Sequence, residues 1–141
     1  MNRRRPRYTN RDRGAVAVEF AILLPVLLLL IFGIIDFGRA LNAQIALTQA
    51  AREGARLDAL NQPNLVTRTQ AAAAGLGSAV TVTLVYQCQP GDGSKNVDAK
   101  VQTSYSFRFI TPLGAIAAIF GGSGLGSPIT LTAQGVMPCE T

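Results

Sequence analysis

Few residues in this 141-residue chain have the type and spacing to do chemistry. Glu19 is the sole charge between Ala15 and Ile35, a stretch of 21 otherwise apolar or small residues. It stands five positions after Gly14, and Gly14 closes a tail that holds Arg3, Arg4, Arg5, Arg7, Arg11 and Arg13. An ionised carboxylate in hydrocarbon costs several kcal/mol, on the order of 3 or more, so Glu19 must be neutral, near the headgroups or paired. Further on, Cys88 and Cys139 follow two alternating segments. With two cysteines and no histidine, a zinc site has too few ligands. Lack of histidine also removes the usual general base, and no catalytic dyad is visible, so no catalytic residue is assigned and no cofactor is expected. The glycines of "GGSGLGSP" (121–128) are followed by no Lys-Ser or Lys-Thr, and Leu125 stands where a nucleophile elbow at Ser123 needs glycine. That stretch reads as a flexible loop.

The elements that position Glu19 follow from hydropathy. Twenty-one helical residues rise about 30 Å, the thickness of a bilayer's hydrocarbon core. A domain this small has nothing with which to surround an apolar helix of that length, so 15–36 reads as a transmembrane helix. Pro25 removes one backbone hydrogen bond, which membrane helices tolerate. The net charge of +5 belongs to the tail: six arginines oppose Asp12 in residues 1–14, while residues 15–141 carry seven basic and seven acidic side chains. This distribution places the N-terminus in the cytoplasm and the C-terminus across the membrane. It leaves no basic face in the body, and no nucleic-acid partner is expected; a nucleic-acid-binding arm is the rival reading of the tail. A cleavable secretory signal fits poorly, because the best candidate site, ending at Ala43, has Leu41 where a small residue is needed.

The pattern Gly14, Ala15-Val16-Ala17-Val18, then Glu19-Phe20 opening the apolar helix resembles the processing site of type IV prepilins. The longer run "RDRGAVAVEFAILLPVLLLLIFGIIDFGRA" with "AAREGAR" (Ala50–Arg56) resembles the TadE-like proteins of tight-adherence (Flp) pilus systems, which are minor pilins or pseudopilins. The resemblance implies that residues 1–14 are a cytoplasmic leader removed by a prepilin peptidase between Gly14 and Ala15, with Glu19 and Phe20 in the recognised motif. It implies as partners that peptidase, other pilins of the system, an inner-membrane assembly platform and the membrane itself. The location implied is the cytoplasmic membrane, single-pass, then the pilus or cell surface after processing. Many pilins have Phe or Met at the new N-terminus, and here it is Ala15. Physically, cleavage would give Ala15 a positive amine that Glu19 of a staggered neighbour can neutralise, fixing register as single buried polar groups do in helix bundles. An interfacial Glu19 without a partner is the bland alternative. A signal-anchored binding module that never polymerises is the alternative for the whole chain.

Residues 37–60 lack proline and are rich in helix formers, so the helix is expected to continue to about residue 60. Phe37, Leu41, Ile45 and Thr48 follow one face of this amphipathic extension, and Ala43, Ala46, Ala50 and Gly54 make a small-residue stripe. The stripe suits either the protein's own sheet or a neighbouring subunit. Glu53 and Arg56 have the spacing of a weak ion pair. "NQPN" (61–64) ends the helix, and Asn64 is placed to cap a short one from about Leu65 to Ala74.

Residues 61–141 then read as a small extracytoplasmic α+β domain. Alternation over 79–87 (Val80, Val82, Leu84, Tyr86 on one face) predicts a strand. The alternation over 97–109 is cleaner, with Val97, Ala99, Val101, Thr103, Tyr105, Phe107 and Phe109 facing one way. "PGDGSKN" (90–96) between them is turn chemistry, and a third run covers Ile129–Met137 with Ile129, Leu131, Ala133 and Met137 on one side. The product expected is about three antiparallel strands laid on the long helix. "TPLGAIAAIF" (111–120) is a covering helix or an exposed patch. Outside the cytoplasm Cys88 and Cys139 would pair as a disulfide, two free thiols being the alternative.

Overall fold

The computed structural model describes residues 11–88, 98–112, 114–115, 118, 121 and 127–139. It is an α+β arrangement: a long helix α1 (Arg11–Ala59), a short helix α2 (Leu65–Ala72), a 3-10 segment (Ala74–Ala79) and strands β1 (Val80–Tyr86), β2 (Asp98–Phe107) and β3 (Ile129–Pro138). The strands form one antiparallel sheet in the order β1-β2-β3.

Helix α1 is 49 residues, on the order of 73 Å at 1.5 Å per residue. Its two halves live in different surroundings. From Gly14 to Ile35 its side chains are exposed or half-buried throughout, and the most apolar window of the helix is not buried by any of the described residues. An exposed apolar helix of this length fits a single-pass membrane anchor, where every backbone polar group must be satisfied within the helix. From Asp36 onward one face turns to the sheet. Leu47, Ala50 and Ala51 are fully buried and form the core with Ala73, Val80 and Ala133, joined by Leu76, Tyr105 and Leu131.

The small-residue stripe meets the protein's own sheet: Ala43, Ala50 and Gly54 are buried and Ala46 half-buried. Three large apolar side chains point the other way. Phe37, Leu41 and Ile45 are 70%, 55% and 58% exposed, so the apolar stripe of the extension faces outward.

The helix ends at Ala59, and Asn61 and Asn64 take left-handed backbone (φ 49° and 60°) on either side of Pro63. Asn64 sits at the N-terminus of α2, but its side chain makes no capping hydrogen bond. With positive φ, its oxygen is not aimed at the first-turn amides as a β-region cap is. Helix α2 closes at Ala72 rather than Ala74, and Gly77 (φ 74°) breaks the 3-10 segment that follows.

In β2, Ala99, Val101, Thr103 and Phe107 are buried, which is the alternation its sequence dictates. The β2–β3 register runs unbroken from Asp98↔Pro138 to Phe107↔Ile129. The β1–β2 register slips between Leu84 and Tyr86, and Tyr86 is left exposed rather than continuing the inner face. On β3 the inward residues are Leu131, Ala133 and Gly135, while Ile129 and Met137 are exposed. Phe109 lies beyond β2 and packs edge-on against Phe107, centroids 5.4 Å apart. The turn at 90–96, Val97 and most of 111–128 lie outside the described residues.

Candidate functional site

Gly14, Ala15, Glu19 and Phe20 all lie on α1 and are exposed. The helix begins at Arg11, so the Gly14–Ala15 peptide is inside it. Any peptidase acting there must free that peptide from the helical hydrogen-bond ladder. A Cβ on Gly14 would meet nothing within 4 Å, so its lack of a side chain answers no need within this fold. Neither of the two ion pairs among the described residues involves Glu19.

A series of polar contacts ties the head to the second half of α1, from Asp36 to Asp58, and it fixes how the head sits on that half. At the membrane end, Asp36 is 1% exposed. Its carboxylate accepts from the backbone N–H of Ile110 and Thr111 (both 3.3 Å), from the Thr111 hydroxyl, and from Arg39 Nη1 (3.1 Å). Arg39 also lies over the Phe107 ring, 5.1 Å from its centroid, and donates to the Arg108 carbonyl at 3.5 Å. Two turns on, Gln44 Nε2 donates to the Thr132 carbonyl (2.8 Å), and Thr103 Oγ1 donates to the Leu47 carbonyl (3.0 Å). At the far end, buried Asp58 accepts from the Cys88 N–H (3.1 Å), and Cys88 is joined to Cys139 with Cα atoms 5.7 Å apart.

The sequence reading put Asp36 at the last position of the 15–36 span and gave it no role in the head. It is the buried foot of this series, and its only sequence signal was an acid where an interfacial helix has no need of one. Gly135 was missed in the same way, whereas Gly54 was read as part of the small-residue stripe. A Cβ on Gly135 would overlap the Ala51 carbonyl and stand 2.7 Å from the Arg52 nitrogen. Gly in a strand interior often marks such close backbone approach. A Cβ on Gly54 would stand 2.7 Å from Thr69 Oγ1 and 3.0 Å from Val101 Cγ1.

Glu53 and Arg56 pair bidentately at 2.8–2.9 Å on the surface, and the guanidinium holds the Glu53 carboxyl below its ordinary range. A shallow cleft of about 160 Å³ between Arg39, Asn42, Leu76, Tyr105 and Phe107 is below the roughly 300 Å³ of a small-molecule site. Among the described residues no group of three or more His, Cys, Asp or Glu is placed to hold a metal ion.

Fold and site together define an α+β head carried on one long helix, the free half of which fits a single-pass membrane anchor. Residues 14–56 match the model of the TadE family, described as TadE-like protein. TadE-like proteins are pilin-like structural proteins, and the match supports a pilus-related protein of a tight-adherence system. No curated protein and no solved structure matched the chain.

Proposed function

We propose that this chain is a minor pilin or pseudopilin of a tight-adherence (Flp) pilus, cut by a prepilin peptidase between Gly14 and Ala15. Residues 1–14 are the cytoplasmic leader, 15–36 cross the membrane, and 37–60 with 61–141 stand outside the cytoplasm. The mature subunit takes part in pilus assembly for adhesion or secretion, working with other pilins and an inner-membrane platform. One observation carries the reading: Glu19 and Phe20 follow Gly14 at prepilin spacing, exposed at the start of an unpacked apolar helix. The TadE-like match starts at Gly14 and so takes in the whole motif.

The chemistry is non-covalent assembly. Once the leader is gone, the Ala15 amine of one subunit and the Glu19 carboxylate of its neighbour neutralise each other in a medium where either alone is costly. The outward stripe of Phe37, Leu41 and Ile45 offers further apolar surface along the same helix. The test is Glu19→Ala expressed with the whole pilus system. Cleavage should proceed, while incorporation into sheared pili falls at least about tenfold, because removing one partner of a buried pair costs about 3–5 kcal/mol. Undiminished incorporation would contradict the pairing.

A further inference from the structure

The end of the apolar span and the lower edge of the head lie at one level. The 21-residue run ends at Ile35, and the next residue, Asp36, holds the Ile110 and Thr111 amides at 3.3 Å. The chain leaving β2 is therefore pinned to the helix where the span ends. The start of β3 is at the same level. Ile129 pairs with Phe107, and Gln44 reaches Thr132, three residues further along β3.

The side chains presented at this level are apolar. Ile110 is 71% exposed and Phe37 70%, and Ile129 is exposed as well. Their charged neighbours are basic: Arg108 is exposed, and the Arg39 side chain is partly so. Asp36, the acid at this level, is buried and hydrogen-bonded to four donors, so it needs no water and presents no negative charge outward. From Ala99 to Cys139 the sequence holds no acidic residue. Exposed large apolar side chains beside arginines are the composition of a surface that settles at the headgroup–acyl boundary, where arginine reaches phosphate and the apolar groups leave water.

We propose that this foot of the head rests on the lipid of the head-side leaflet, so that the chain touches the bilayer twice: through its span and through Ile110, Ile129 and Phe37 with Arg39 and Arg108. The Asp36 contacts then set the height and tilt of the head above the membrane. Lipid is favoured over a protein neighbour because the foot is continuous with the apolar span at the depth where the span emerges. The inference rests on residues 15–36 crossing the membrane, as proposed above.

The chain has no tryptophan, so one introduced residue reports one position. Full-length Leu27→Trp, Ile110→Trp, Ile129→Trp and Tyr86→Trp are each reconstituted in phosphatidylethanolamine/phosphatidylglycerol vesicles with lipids brominated at shallow or deep acyl positions. All four replace exposed or half-buried side chains, and the two foot variants read the same surface independently, so one that fails to fold leaves the other to decide. Leu27→Trp should be quenched by deep bromines. Ile110→Trp and Ile129→Trp should be quenched by shallow bromines by at least about twofold, and Tyr86→Trp, at the far end of the head, should be unaffected. Quenching of Leu27→Trp with none of Ile110→Trp or Ile129→Trp would overturn the foot contact while leaving the span intact. Shielding of both foot variants from aqueous iodide without bromine quenching would assign the foot to a protein neighbour and overturn it equally. No quenching of Leu27→Trp would overturn the span, and the foot with it.

Discussion

Asp36 shows most clearly how one side chain organises this protein. A carboxylate 1% exposed is tolerable because two backbone amides, a hydroxyl and a guanidinium surround it. Asp36→Asn keeps the shape but removes the charge from these bonds, and should lower head stability by about 1–3 kcal/mol. Amide exchange at Ile110 and Thr111, measured in detergent, should accelerate while that of β2's central residues is little changed. Protection unchanged at both amides would show that Asp36 does not hold them. The glycines make a second case at this scale. Gly135→Ala forces a methyl group into the Ala51 backbone, which has no rotamer to yield, and should cost about 2 kcal/mol or more. Gly38→Ala, where a Cβ meets nothing within 4 Å, should be neutral or slightly stabilising in the same thermal melts.

At the scale of elements, the long helix and the three strands were legible because each obeys one period over many residues. The apolar run at 15–35 and the alternation in β2 admit one reading each. Element ends were less legible. Leu65–Ala72 stops two residues short of expectation, and Asn64 occupies the cap position without capping. Its backbone conformation is set by the turn at Asn61–Asn64, and periodicity carries no information about that. The faces of residues 37–60 were visible, but which one meets the sheet was not. Phe37, Leu41 and Ile45 line one side and the small residues, with Leu47, the other, and the sheet took the small side because Gly135 and Gly54 let the backbones approach closely. The outward large residues are therefore available for assembly. Leu41→Ser with Ile45→Ser should leave the head's melting temperature within about 2 °C, since both side chains are exposed and surface changes usually stay within about 0.5 kcal/mol. A loss of roughly 10 °C, well beyond that surface range, would mean that this face packs within the chain after all.

For the whole molecule, the polar contacts of α1 run from Asp36 to Asp58, roughly 33 Å along the helix. Cys88–Cys139 closes the far end, with a sequence separation of 51 residues. Reducing it should destabilise the head by about 2–4 kcal/mol, useful to a core this small. Equal thiol labelling of native and reduced protein would show instead that the two sulfurs are not joined. Sequence and structure differ in what they say of the candidate site. Gly14, Ala15, Glu19 and Phe20 were singled out by their resemblance to a prepilin processing site, and among the described residues Glu19 joins neither ion pair and a Cβ on Gly14 meets nothing within 4 Å. The role proposed for them lies in contacts with other molecules, and the fold of a single chain carries no record of such contacts. The most direct test of the central claim is the intact mass of the membrane-derived protein from cells with and without the prepilin peptidase. The mature chain should begin at Ala15 when the peptidase is present and retain residues 1–14 when it is absent. A chain beginning at Met1 in both, or one cut after Ala43, would contradict the claim.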